Sequence, residues 1–146
     1  PMPPVPPFAV HERVRWSDCD PLGIIFYGAY IRLFEIAEHE MFRSIGLPFD
    51  TLRAIRGVWL PRKAFQVEFA APAAMDELLT VGVGVQAIGT TSITLRFTAT
   101  CAADGAPRAT ATLTVVCVDK PSITKRPVPD WLREALQPMT IPTPPT

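Results

Sequence analysis

A chain of 146 residues is the size of one domain and buries roughly two-thirds of its unfolded surface, enough for a core of its own. Its 14 Lys and Arg balance 14 Asp and Glu, which removes the global basic field expected of many nucleic-acid binders and leaves only local phosphate binding open. The cysteines Cys19, Cys101 and Cys117 are odd in number and lack CxxC spacing, so neither a disulfide framework nor a zinc site is suggested and free thiols are expected, Cys101 and Cys117 in strands.

The chain opens on "PMPPVPPF", which has no charged segment followed by an apolar signal core, and no later apolar run approaches the ~20 residues of a bilayer span. A cytoplasmic chain without membrane insertion is expected. The prolines cluster there and in "PMTIPTPPT" at the other end, where a fixed φ and a missing N–H favour extended, poorly packed tails. The folded unit is therefore expected over 8–137, with 1–7 and 138–146 as tails.

In "FAVHERVRW", Phe8, Val10, Val14 and Trp16 lie two or four residues apart, as in a half-buried strand. From Tyr30 the apolar period changes: Tyr30, Leu33, Phe34, Ala37, Met41 and Ile45 follow the spacing of a long helix, which Gly46-Leu47-Pro48 closes. Its other face carries Arg32, Glu35, Glu38, His39 and Arg43, a solvated surface or a subunit contact. A short helical piece follows near "FDTLRAIRG", with Asp50 as N-cap. Four strand-type segments come next: "VWLPRKAFQVEF", "ELLTVGVGVQAI", "TSITLRFTATCA" and "RATATLTVVCVD". The turns "GTT" and "ADGAP" make the last strands an antiparallel meander, with the long helix on one face. In "VPDWLREAL", a last turn of helix is expected with Asp130 as its cap and Trp131 and Leu132 docked. The class is α+β, a curved antiparallel five-stranded sheet around one long helix.

The chemistry concentrates in "WSDCDPLGIIFYGAYIRLFEIAEHEMF". An aspartate just before a helix could simply cap it, or it could face a substrate that the helix end polarises. His11 and His39 have no motif around them and suit packing or solvent contact, and Cys19 suits a small packing role.

The segment "DCDPLGIIFYGAYIRLFEIAE" resembles the signature of the 4-hydroxybenzoyl-CoA thioesterase type. The segments "RKAFQVEFAAPAAMDELLTV", "GTTSITLRF" and "VVCVDKPSITKRPVP" resemble the related acyl-CoA thioesterases of the Tol-Pal gene cluster. Together they cover residues 8 to about 133 and imply the hotdog fold. The resemblance implies hydrolysis of an aromatic or aliphatic acyl-CoA, with no metal and no redox cofactor. It assigns the catalytic carboxylate to Asp20 and the polarising backbone N–H to Tyr27, whose side chain would be structural. Gly23 fits a close backbone approach of substrate. Asp18 would be a turn or cap residue. Free N–H groups and the positive dipole end at a helix start stabilise the tetrahedral oxyanion of thioester hydrolysis, and a carboxylate can attack the acyl carbon or activate water.

Coenzyme A carries phosphates, for which Arg62, Lys63, Lys125 and Arg126 are the candidate ligands, with Lys120 nearby. The resemblance also implies a homodimer or homotetramer with the active site between subunits, and it leaves an acyl carrier protein possible as a partner. Two other readings keep the fold: a non-catalytic acyl-CoA sensor or envelope-complex scaffold, and a dehydratase or hydratase. The latter usually pairs its carboxylate with a histidine, whereas the residue five after Asp20 is Ile25.

Overall fold

The computed structural model describes residues 5–142. Residues 1–4 and 143–146 of the expected tails lie outside the described residues. Strand β1 (Phe8–Arg13) alternates half-buried and exposed side chains, as period-two spacing requires. Val14 then points fully inward, but Trp16, expected on the same face, is 85% exposed. The chain has left the strand there for a 3-10 turn at Trp16–Asp18.

Helix α1 (Ala29–Ser44) buries Tyr30, Leu33, Phe34, Ala37, Met41 and Phe42, the stripe that a 3.6-residue period presents to a core. Its end is a Schellman motif: the Leu47 N–H bonds to the Phe42 carbonyl and the Gly46 N–H to that of Arg43. This requires Gly46 at φ +80°, a conformation that costs glycine least. A wound turn at Thr51–Ile55 follows, closed by an i→i−5 bond from the Arg56 N–H to the Thr51 carbonyl. Asp50 makes no capping bond there; its carboxylate reaches Arg53 instead, so the expected cap is corrected.

The expected strand over "VWLPRKAFQVEF" divides into β2 (Val58–Trp59) and β3 (Arg62–Phe69), with Pro61, which has no N–H to offer a ladder, between them. Strands β4 (Leu78–Ile88), β5 (Ser92–Cys101) and β6 (Pro107–Val116) complete the main sheet, in the antiparallel order β1-β4-β5-β6-β3. The consecutive β4-β5-β6 neighbours are the expected meander, and the sheet has the expected five strands with the long helix packed against it. Alternate residues of each central strand face α1: Leu79, Val81, Val83 and Val85, then Ile93, Leu95, Phe97 and Ala99, then Ala109, Ala111, Leu113 and Val115, all buried.

A second sheet was not foreseen. Strand β2 pairs with β7 (Val118–Asp119), which pairs with β8 (Thr124–Lys125). Cys117 falls between β6 and β7 rather than in a strand, while Cys101 closes β5. All three cysteines are free thiols.

Helix α2 (Asp130–Leu136) starts after Pro129, and Asp130 is its first residue rather than its cap, where a negative charge still suits the dipole. Leu132 is fully buried, and the Arg56 guanidinium lies 4.6 Å over the Trp131 ring. The chain does not stop packing at 137. Gln137–Met139 form a 3-10 turn, the Ile141 N–H bonds to the Val85 carbonyl at 2.8 Å, and Ile141 is 8% exposed. At the other end Pro6 and Pro7 also lie on β4. Glycines in β4 permit both contacts: a Cβ at Gly82 would stand 2.9 Å from Pro6, and one at Gly84 would stand 2.5 Å from Ile141 and 2.6 Å from Pro7.

Candidate active site

Asp20 caps no helix, since α1 begins nine residues later, after Gly28. It opens a tight turn, Asp20-Pro21-Leu22-Gly23, closed by the Gly23 N–H donating to the Asp20 carbonyl at 3.0 Å. The Leu22 N–H donates to Asp20 Oδ1 at 2.8 Å, the local side-chain turn that aspartate favours. Oδ2 has no hydrogen-bond partner among the described residues. Gly23 stands at φ +78° with nothing within 4 Å of where its Cβ would be. Within the chain, then, the turn requires this glycine and crowding does not. The loop is pinned to residues 73–76: the Ile25 N–H donates to the Ala73 carbonyl at 2.9 Å and the Met75 N–H to the Gly23 carbonyl at 3.1 Å.

Asp18 has a different environment. It is 3% exposed, both of its oxygens accept from Arg32 Nη2 at 2.9 and 3.0 Å, and Oδ2 also accepts the Arg15 N–H at 2.8 Å. It is more than the expected turn residue, because its ion pair ties the loop to α1. Arg32, expected on a solvated or subunit face, is its partner.

Between the loop and α1, the Tyr27 and Gly28 N–H groups have no acceptor among the described residues, whereas those of Phe26, Ala29, Tyr30 and Ile31 all donate to backbone carbonyls. Unpaired N–H groups at a helix start are anion sites in waiting. The Tyr27 ring, expected to be structural, is 78% exposed and meets Phe26 edge-on at 6.4 Å.

Two separate cavities are lined by residues of this loop. One, of about 250 Å³, is lined by Trp16, Cys19, Asp20, Pro21, Gly23 and Met75. The other, about 420 Å³ and mostly apolar, runs from Ile24 and Tyr27 to Tyr30, Phe69 and Pro72. A cavity of about 430 Å³ between residues 49–53 and 58–62 contains neither Asp20 nor Tyr27. Chemistry rather than size selects the first two. Cys19 faces the Asp20 cavity, but desolvation, with the charges of Asp18, Asp20 and Asp76, pushes its thiol up. It therefore stays protonated at neutral pH and is a poor nucleophile.

The expected phosphate ligands lie apart from these cavities. Arg62 is engaged elsewhere: its Nη1 donates to Glu38 Oε2 at 3.0 Å, its Nη2 to Glu38 Oε1, and its Nη1 also approaches the Leu60 carbonyl. This pairing limits what its guanidinium can offer a phosphate, although its side chain is 40% exposed. Glu38 in turn is 1% exposed, not on a solvated face, and burial pushes its carboxyl up against the opposing pull of Arg62. Lys63 is exposed on β3, Lys125 is exposed on β8, and Arg126 sits 3.5 Å from Asp119. Lys120 lies 5.8 Å over the Trp59 ring. His39 packs on Phe49 at 4.2 Å between ring centres and His11 is exposed on β1, so neither joins the site.

Residues 14–136 match the family model described as the thioesterase-like superfamily. The chain belongs to that superfamily. Within it, the chain is 30% identical over 118 residues to the acyl-CoA thioester hydrolase YbgC of Escherichia coli O6:H1, covering 80% of this chain and 86% of that one. It is 31% identical over 74 residues to the 4-hydroxybenzoyl-CoA thioesterase of a Pseudomonas species, covering 49% and 52%. A thioesterase superfamily structure from Jannaschia sp. CCS1 superposes with TM-score 0.87 at 27% identity, covering 97% and 99%. The hotdog fold implied by the sequence resemblance is therefore the fold of this thioesterase-superfamily chain.

Proposed function

We propose that this chain is an acyl-CoA thioester hydrolase in which Asp20 supplies the reacting carboxylate and the open N–H groups at Tyr27 and Gly28 receive the oxyanion. One observation carries the reading. Of the two aspartates in "DCD", Asp18 is consumed by Arg32 and the Arg15 N–H, whereas Asp20 keeps Oδ2 free on the wall of an open cavity.

In the nucleophilic route an Asp20 oxygen attacks the acyl carbon, the carbonyl electrons move onto an oxygen held by the N–H groups, and collapse expels the CoA thiolate. Water then cleaves the acyl–aspartyl anhydride, returning the carboxylate and releasing the acid. In the general-base route Asp20 takes a proton from the attacking water instead. Both consume only thioester and water, and both use the dipole end of α1 as the electrostatic element.

The partner and compartment belong to the same proposal. Strand β3 is an edge of the main sheet with nearly every residue exposed, Phe65 and Phe69 among them. Pairing this edge with a second copy would cover it in a dimer, or in a tetramer made of two such dimers, with the active site at the junction. Lys63, Lys125 and Arg126 are the proposed contacts to the CoA phosphates. Among the described residues no helix is long and apolar enough to cross a membrane, in keeping with a proposed cytoplasmic enzyme.

The test is turnover of a panel of aromatic, short aliphatic and long aliphatic CoA thioesters by the wild type and by Asp20→Asn. Asparagine keeps the size and can still accept the Leu22 N–H but lacks the charge. A fall in kcat of roughly 100- to 10,000-fold with binding nearly kept is expected. Asp18→Asn should instead lower activity only in step with the folded fraction. Near-normal turnover by Asp20→Asn would sink the assignment, and tight binding without hydrolysis in the wild type would favour the sensor reading.

A further inference from the structure

Trp16 is the one tryptophan of the three that is left in water, 85% exposed. Trp59 and Trp131 are half-buried and lie under the cations of Lys120 and Arg56, whereas among the described residues no cation and no aromatic ring lies against Trp16. A ring of this size gains most from being covered, so its exposure calls for an explanation.

The fold holds it in that position. The Trp16 carbonyl accepts the Cys19 N–H at 3.0 Å and the Arg15 carbonyl accepts the Asp18 N–H at 2.9 Å, while the Asp18–Arg32 ion pair anchors the turn to α1. Trp16 is therefore carried on the same fixed loop as Asp20, and the two line one cavity of about 250 Å³. Pro21 and Met75 add apolar surface to that wall. Met75 is 41% exposed, and its N–H ties it to the loop through the Gly23 carbonyl at 3.1 Å.

On the thioesterase reading above, the reacting carbonyl must reach both Asp20 Oδ2 and the N–H groups at Tyr27 and Gly28. Asp20 and Tyr27 line different cavities, and the consecutive residues Gly23 and Ile24 belong one to each. The thioester then lies at the divide, with one branch entering each cavity. The mostly apolar cavity at Tyr30 and Phe69 suits the acyl group, which leaves the Asp20 cavity, with Trp16 on its wall, to the thiol side.

Resting on that reading, we propose that Trp16 is a substrate-positioning residue whose ring face, together with Met75, packs against the pantetheine arm of the thioester. That arm is a run of methylenes interrupted by planar amides, a shape that lies flat on an indole and fits the adaptable thioether of methionine. Binding energy collected along an unreactive arm serves to hold the carbonyl against Asp20. The contact is with the arm itself, so the nucleotide end of CoA is not required for it.

The experiment keeps one acyl group and shortens the leaving thiol through CoA, pantetheine, N-acetylcysteamine and ethanethiol, with wild type, Trp16→Ala and Trp16→Phe compared as full chains. Trp16→Ala should lower kcat/KM by about tenfold for the three thiols that carry an amide, and the loss should be at least about fivefold smaller for the ethanethiol ester, which has none. Trp16→Phe keeps a ring face and should recover most of the loss. The Kd of S-benzyl pantetheine, a thioether that cannot be hydrolysed, should weaken in the same order by calorimetry. If the wild type hydrolyses nothing, the catalytic reading falls, and the thioether Kd values still decide the role of Trp16. An equal loss on all four thioesters, a loss confined to the CoA thioester, or unchanged Kd values overturn the proposal. A marked fall in the thermal stability of Trp16→Ala, or a changed oligomeric state by light scattering, also overturns it, since the ring would then serve the fold or a second copy.

Discussion

Arg62→Ala should convert the ion pair between α1 and the edge strand into an uncompensated buried charge. Glu38 is 1% exposed at its side chain, Arg62 40%, and both terminal guanidinium nitrogens donate to the carboxylate. Removing the cation of a buried pair typically costs ~3–5 kcal/mol. Water already reaches Arg62 and can follow the truncation, so we expect roughly 2–3 kcal/mol at neutral pH, nearer the exposed end of the range.

The pH dependence separates this cause from simple loss of contact area. Burial already holds the Glu38 carboxyl above its ordinary value of 4.5, against the downward pull of Arg62, so deleting Arg62 raises the folded-state value further. A group that binds its proton more tightly when folded keeps its full stabilising contribution below the unfolded value and loses it as pH rises through the folded one. The cost of Arg62→Ala should therefore be small near pH 5, grow as pH rises, and level off once Glu38 is ionised in the folded variant. Urea denaturation of both proteins at about pH 5 and about pH 7.5, compared as midpoints at constant slope, measures it. An equal cost at both pH values would refute the argument. The charge-free pair Glu38→Leu with Arg62→Met should recover most of the loss, as buried pairs replaced by packed apolar side chains often do.

For the proposed CoA contacts, Lys63→Ala, Lys125→Ala or Arg126→Ala should raise KM for a CoA thioester severalfold while leaving a pantetheine thioester unchanged; equal effects on both would dismiss the residue concerned. For the proposed assembly, light scattering should report a dimer or tetramer, and a charge introduced at Phe65 in the middle of β3 should shift it towards monomer and lower activity with it. A native monomer of full activity would exclude a site shared between copies.

Much of the architecture was legible because it rests on local periodicity. The 3/4 spacing from Tyr30 to Met41 and the two-residue alternation in β5 and β6 are burial patterns written directly into the chain, and Gly46 marked the helix end by its backbone freedom. What was not legible depended on distance in space. Glu38 and Arg62 are 24 residues apart and Asp18 and Arg32 are 14 apart; singly, each reads as a surface charge or a cap. Trp16 read as the inward end of β1, since a two-residue spacing does not show where the chain will leave the strand. The proline-rich ends read as tails because proline composition carries no information about Gly82 and Gly84, the two positions on β4 where a missing Cβ lets those ends lie down. The Asp20 motif was visible for another reason: it compresses a turn, a glycine and a helix start into a few consecutive residues.

The two aspartates of "DCD" show how one residue type divides its labour. Spacing of two would place both on one face of a strand, but the 3-10 turn at Trp16–Asp18 and the tight turn that begins at Asp20 send them in different directions. Asp18 turns inward, where a carboxylate is tolerable only with a cation and N–H donors, and Arg32 and the Arg15 N–H supply both. That satisfaction makes it a poor reactant: three of its roughly four acceptor sites are taken, and it is held buried in the ion pair with Arg32. It also fixes the loop, because Asp18 is held to Arg32 in the first turn of α1 and its own carbonyl accepts the Phe26 N–H at 2.9 Å. Asp20 is carried on that fixed loop with one oxygen tethered and one open. On the proposed mechanism this is the required arrangement, since a nucleophile or base gains most when its geometry is set in advance and its reacting atom is left unpaired. The carboxylate proposed to react is therefore intelligible only beside the one held in an ion pair.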